Sequence, residues 1–506
     1  MYIIEMLGIT KSFGTNTAND KVDFRVEKGE IHSLLGENGA GKTTLMNILF
    51  GMLAADEGKI LLNGEEVKIS SPLVAIEKGL AMVHQHFMLD DTLSVTENIV
   101  LGHEPHKGIL FDLKGAHEEI RRIADSYHFQ IDPKEKVGNL SVGVKQRVEI
   151  LKALYHQSEV LILDEPTAVL TPQEVNDLFR VLRELKAAGK TIIIITHKLK
   201  ETMSVADSIT VLRKGQTIAR LPISEVDEQK LADLMVGRFV NFGIDKQPLK
   251  ADRPVALALE DVVLKKNGRN VLDHISLTVH AGEIFGIAGV EGNGQTELIE
   301  VLTGIARKYK GSYTIGSEDY SGADARRLVK KIAHIPEDRK LRGYVKAFPN
   351  WENLILGYHS DPRYMNRFGI MKRQAIRAAA DKAVEDYDIR TYSIDQMTDS
   401  LSGGNQQKLI VARVLIHESG IVLAAQPTRG VDIGAIEYIH SKLMELRDNG
   451  AAVILISADL DEIVKLSDRI AVIYEGRIAA EKPAEEFTET TLGSYMLGHD
   501  PEKETA

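Results

Sequence analysis

Gly36-Glu37-Asn38-Gly39-Ala40-Gly41-Lys42-Thr43-Thr44 has the form G-x-x-x-x-G-K-T. Five apolar-dominated residues, 31–35, precede it and read as a buried strand; residues 42–50 carry apolar side chains at helical spacing. A glycine-rich loop between strand and helix is a phosphate cradle. Its glycines let backbone N–H groups turn inward around a β-phosphate, where the helix N-terminus adds a favourable field. Lys42 would reach the β/γ-phosphates, and the Thr43 hydroxyl would ligate Mg²⁺.

Outward from this loop, other short apolar runs end in chemistry. Residues 160–163 run into Asp164-Glu165, and residues 190–195 run into Thr196-His197, with a helical pattern over 172–188 between them. Strands alternating with helices imply a parallel α/β sheet, whose ligands sit at the carboxyl ends of the strands. Gly36, Asp164 and His197 then share one edge. Asp164 is expected as a direct or second-layer partner of Mg²⁺, and Glu165 as the base that orients or deprotonates an attacking water. His197 would contact the γ-phosphate. Gln85, after another short β-type run, offers an uncharged amide to Mg²⁺ or water. Phe13 either stacks on a base or belongs to the core.

The whole composition restricts the alternatives. At 506 residues the chain predicts more than one domain, about three at the usual size. An apolar fraction of 43% and a charged fraction of 27% suit globular cores. A net charge of −11 argues against broad nucleic-acid binding, which needs a basic face. With no cysteine, disulfides, iron–sulfur clusters and cysteine zinc sites are excluded. The first residues show no signal peptide, and no apolar run approaches the ~18–20 residues that span a bilayer.

The chain also repeats itself. Residues 36–43 reappear as 289–296, an offset of 253; Leu140-Ser141 and Pro166-Thr167 reappear as Leu401-Ser402 and Pro427-Thr428, an offset of 261. Two copies at this spacing mean tandem domains, not a solenoid. A polar, proline-bearing seam separates them. The expected division is 1–243, a linker 244–254, 255–500 and a frayed tail 501–506.

These motifs, in this order, resemble an ABC-type ATPase over essentially the whole chain, twice. The motifs are residues 36–43, Gln85, Leu140-Ser141-Val142-Gly143-Val144-Lys145-Gln146, Leu163-Asp164-Glu165-Pro166-Thr167 and His197. Leu401-Ser402-Gly403-Gly404-Asn405-Gln406-Gln407 matches that family's signature motif intact. The resemblance implies two P-loop NTPase domains of α/β class. Each would hold a RecA-like parallel-sheet core, an antiparallel β subdomain and a helical subdomain. It also implies a head-to-tail sandwich, with ATP between one phosphate loop and the other signature motif. Phe13 would face the base; Ser402, Gly403 and Gly404 would face the γ-phosphate.

The second copy departs from the family pattern. Gln295 replaces the loop lysine, Ala425-Gln426 the acidic pair, Ala458 the histidine, Glu337 the Gln85 place and Lys266 the Phe13 place, while Glu297 stands where Thr44 does. In the first copy Val142 replaces a signature glycine. One composite site is therefore expected to hydrolyse ATP and the other not. Tandem domains of this kind resemble the ATPase subunits of bacterial simple-sugar and nucleoside importers, and the phrases 83–89 and 424–432 lean to the nucleoside type. That resemblance implies two transmembrane permease subunits, an external solute-binding lipoprotein, a place on the cytoplasmic face of the membrane, and no nucleic acid. A soluble tandem ATPase acting on ribosomes or nucleic acid is the rival reading; the acidic balance and short linker stand against it.

Overall fold

A computed structural model describes residues 1–14, 16–84, 87–107, 110–127, 129–167, 170, 172–241, 246–249, 252–290, 292–417 and 419–500; within these, the side chains at 110, 142, 172 and 173 are not described. The chain forms two compact units, Met1–Val240 and Asn241–Ala506. Length alone expects about three domains; each unit instead gathers a six-stranded sheet, a four-stranded antiparallel sheet and a helical layer, and so exceeds the usual size.

In the first unit the central sheet runs Gln216–Pro222, Ser208–Arg213, Ile31–Leu35, Thr191–Thr196, Val160–Asp164, Leu80–Val83. Only its outermost strand, Gln216–Pro222, is antiparallel. Strands of a parallel sheet are buried on both faces, which is why they read as unbroken apolar runs; every residue of Ile31–Leu35, Val160–Asp164 and Thr191–Thr196 is buried. The register sets Thr196 beside Leu35 and Ile195 beside Asp164. The residues that follow, Gly36, Glu165 and His197, therefore leave the sheet at one edge.

A separate antiparallel sheet, Asn16–Glu27, Tyr2–Phe13, Glu57–Leu62, Glu65–Val67, packs its apolar side against Lys42–Leu49, the helix that follows the loop. The helices Val95–Val100, Leu113–Ser126 and Val142–Tyr155 form the third layer. Ser94 and Glu97 close the first of them with a capping box.

The second unit repeats this plan. Its central sheet runs Ile332–Ile335, Ile421–Ala425, Ala452–Ser457, Ile284–Ala288, Arg469–Tyr474, Arg477–Pro483. Ser457 lies beside Ala288 and Ile456 beside Ala425, the same alignment of strand ends. The parallel-sheet core, antiparallel sheet and helical layer match the α/β class expected of each half.

Part of the expected linker is attached to the second unit. Lys246 Nζ donates to Ser467 O at 2.7 Å, Arg447 Nη2 donates to Gln247 O at 2.8 Å, and Arg253 pairs with Glu283 at 2.8 Å. Residues 242–245 and the tail 501–506 lie outside the described residues. Among the described residues no helix is long and apolar enough to cross a membrane.

Candidate functional site

The phosphate loop owes its path to three glycines. Gly41 sits at φ 99° and Gly39 at φ 83°, a region that side chains disfavour. A Cβ on Gly36 would lie 2.4 Å from Leu212 O, so only glycine lets the loop pass that strand. Lys42 is 6% exposed. Its Nζ donates to Gly36 O at 2.6 Å and Glu37 O at 3.0 Å, which holds the charge under the loop. Burial pushes its pKa down, while Glu165, Asp164 and Glu37 pull it back up. Asn38, Gly39 and Thr43 are exposed, Glu37 and Thr44 are partly so, and Ala40 is buried.

Asp164 ends its strand at 7% exposure. Burial, with Glu165 adding to it and Lys42 opposing, pushes its carboxyl up to about 6. A buried carboxyl beside a second carboxylate suits a cation. Among the described residues no group of three or more His, Cys, Asp or Glu side chains forms a metal cage. Mg²⁺ commonly takes one or two carboxylates together with substrate phosphates. The Thr43 hydroxyl and Asp164 fit that mode.

Glu165 follows at φ 46°, its N–H donating to Ile195 O at 2.9 Å. His197 Nδ1 donates to Glu165 Oε1 at 3.0 Å. That bond, stronger than the opposing burial, holds the Glu165 carboxyl below its ordinary range. Next to it, Lys198 Nζ donates to Glu201 Oε1 at 2.8 Å and to Thr167 O at 3.2 Å, and Thr167 donates to Glu201. Sequence motifs gave Lys198 and Glu201 no role; they brace the turn after Pro166.

Phe13 ends the first strand, is 49% exposed and carries Lys11 Nζ 5.8 Å from its ring centroid. It is not a core residue. Gln85 lies outside the described residues.

The second unit keeps the frame with other side chains. Gln295 is 8% exposed; a Cβ on Gly289 would lie 2.4 Å from its Nε2. Glu297 reads from sequence as a bare charge opposing phosphate. The fold adds a partner: Lys266, at the place where the first unit has Phe13, donates to Glu297 at 3.2 Å and to Glu300 at 2.8 Å, one lysine shared by two carboxylates. Ala425 and Ala458 offer no acid or base. Thr296 Oγ1 donates to Glu337 Oε2 at 3.3 Å.

Ser402 is exposed and precedes the helix Gly403–Ile416; its hydroxyl takes a hydrogen bond from Asn405 Nδ2 at 2.8 Å and caps no backbone amide of that helix. The first amides of the helix thus remain as anion donors. Ser141 of the first unit instead accepts from Val144 N at 3.4 Å. A Cβ on Gly404 would lie 2.8 Å from Asp432 Oδ2, which fits glycine there. The Val142 side chain lies outside the described residues.

The family profile described as ABC transporter matches residues 19–168 and 272–429. The chain belongs to the ABC transporter family. As a member of it, the protein binds and hydrolyses ATP. The matched segments carry both phosphate loops and both signature motifs. Among curated proteins this ABC transporter chain is similar to the guanosine import ATP-binding protein NupO of Bacillus subtilis, 47% identical, covering 98% of each chain. It is 45% identical to the nucleoside import ATP-binding protein NupA of Lactococcus lactis, again over 98% of each. The glucose import ATP-binding protein TsgD13 of Haloferax volcanii is 41% identical over 98% of this chain and 96% of its own.

Proposed function

We propose that the protein is the ATPase subunit of a nucleoside importer with one working ATP site. In this reading ATP is held between the phosphate loop of the first unit and Ser402, Gly403 and Gly404 of the second. The observation that carries the single-site reading is the bond from His197 to Glu165 at 3.0 Å, set against Ala458 and Gln426 at the same places in the second unit.

Thr43, Asp164 and Gln85 would hold Mg²⁺, which when bound neutralises charge on the β- and γ-phosphate oxygens. Lys42 exchanges its loop carbonyls for phosphate oxygens. Glu165, kept ionised by His197, orients the water and takes its proton. His197, oriented by its bond to Glu165, contacts the γ-phosphate and helps hold the water. Phe13 stacks on the base. The amides that begin Gly403–Ile416 receive the developing charge. Losing a general base costs typically ~10²–10⁴ in rate, so a site with Gln426, Ala425 and Ala458 does not turn over.

Nucleosides as cargo are supported by the two relatives at 45–47% identity, NupA and NupO, against 36–37% for ribose- and galactose-type import proteins. With them come two transmembrane permeases, a solute-binding lipoprotein on the far side, and a peripheral place on the cytoplasmic face. The test is ATPase activity of the chain assembled with its permeases and binding protein. Nucleosides should stimulate it and ribose or galactose should not; the reverse pattern overturns the cargo assignment.

A further inference from the structure

We propose that Arg339 is a positioning residue for the signature turn of the second unit, filling with its guanidinium the space that Gly403 leaves open. The proposal rests on the reading that Ser402 and Gly403 complete the working site.

Arg339 opens the π-type turn Arg339–Gly343, just after Glu337-Asp338; such turns are uncommon and concentrate at functional sites. The Asp338 carboxylate begins the turn by accepting from Lys340 N at 2.9 Å and Leu341 N at 3.0 Å. The guanidinium then reaches back to the signature. A Cβ on Gly403 would stand 2.6 Å from Arg339 Nη2, closer than real Cβ contacts, so any side chain at 403 displaces the arginine. Nη1 donates to Arg429 O at 3.1 Å and Nη2 to Gly430 O at 3.4 Å. Its buried Nε has no hydrogen-bond partner among the described residues. One planar fork is thus bound to the loop after Pro427-Thr428 and lies against Gly403 at the start of Gly403–Ile416. The same segment is fastened again where Tyr344 donates to Asp399 Oδ1 at 2.6 Å, three residues before Ser402.

The first unit shows the alternative. Counting from Gln85 as from Glu337, the Arg339 place is Phe87, and the Gly403 place is Val142. Arginine accompanies glycine; phenylalanine accompanies valine. A carboxylate stands against the next signature glycine in both units, Glu174 at Gly143 and Asp432 at Gly404; the second unit adds a guanidinium, and a cation beside a helix N-terminus adds to its pull on phosphate.

The experiment measures ATPase kinetics of the full chain assembled with its permeases, for Arg339→Gln, Arg339→Lys, Gly403→Ala, the Arg339→Gln/Gly403→Ala double variant and Ser402→Ala. Arg339→Gln and Gly403→Ala should each raise KM for ATP about tenfold or more, the effect of losing one charge-assisted contact, with kcat changed by less than about threefold. The double variant should be no worse than the worse single, because both remove one contact. Arg339→Lys keeps charge and stem without the fork and should recover only part of KM; it serves if Arg339→Gln does not fold. Unchanged KM in the arginine variants, or effects that multiply in the double, would overturn the proposal while Ser402→Ala stays inactive. Full activity of Ser402→Ala would instead remove the composite-site reading beneath it.

Discussion

His197 Nδ1 donates to Glu165 Oε1 across 3.0 Å, with both side chains partly shielded. The bond does two things. It holds the Glu165 carboxyl below its ordinary range, and so ionised at neutral pH, and it fixes the orientation of the ring. Neither residue would be placed without the register that brings Thr196 level with Leu35 and Ile195 level with Asp164.

Glu165→Gln should therefore abolish steady-state hydrolysis, by ~10²–10⁴ in rate for a lost base, while leaving nucleotide bound. The check is stoichiometry of trapped radiolabelled ATP. One uncleaved ATP per chain is expected; residual turnover above a tenth of the parent would contradict the assignment.

The two signature serines should not be equivalent. Ser402→Ala should lower kcat/KM steeply, whereas Ser141→Ala, whose hydroxyl serves its own helix as a cap at 3.4 Å, should shift it by less than about threefold and cost roughly 0.5–2 kcal/mol of local stability at most. Comparing the two by ATPase assay and thermal melting is enough.

Restoring single residues in the second unit should fail. Gln426→Glu alone, or Gln295→Lys alone, leaves Ala425 and Ala458 unchanged. ATPase activity in a Glu165→Gln background should stay at the background level in both. Recovery by either one would mean that fewer groups are needed than the site suggests.

Acid should loosen the second unit in part through His334. Burial pushes this histidine down to about 3, with Arg413 and Arg342 adding to the effect, whereas an unfolded chain has it near 6.5. Between those values the unfolded state binds a proton that the folded state refuses. Stability is thus complete above pH 6.5 and falls as pH falls. From pH 7 to 5 the loss is roughly 2 kcal/mol. Trp351, the single tryptophan, lies in the second unit and reports its unfolding by fluorescence. In urea, the drop in midpoint between pH 7 and 5 should shrink in His334→Leu; an equal drop in both proteins would exclude His334 as the cause.

Much of this is legible in the sequence. Gly36, Asp164 and His197 each follow an apolar run, and parallel strands leave their loops at one edge. What escaped depends on distant chain segments meeting. Glu297 reads as a bare acid until Lys266, 31 residues earlier, is seen against it. Arg339 is one basic residue in a polar stretch until the chain brings it to Gly403, 64 residues on. Neither contact has a period or a motif. The linker escaped for the same reason: Lys246 and Arg253 look solvated, yet both are held by groups of the second unit.

Glu165 and Gln426 share one unusual bend, φ 46° and φ 47°, each anchored by an N–H to the neighbouring strand at Ile195 or Ile456. Such a conformation costs of order 1–3 kcal/mol, and in the proposed single-site reading Gln426 has no reaction to repay it. The bend therefore belongs to the way strand and turn are joined. On the proposed single-site reading the second half is a mould still in the shape of the first, so a designer seeking a chain with two firing sites has side chains to recast and no main chain to redraw at this bend.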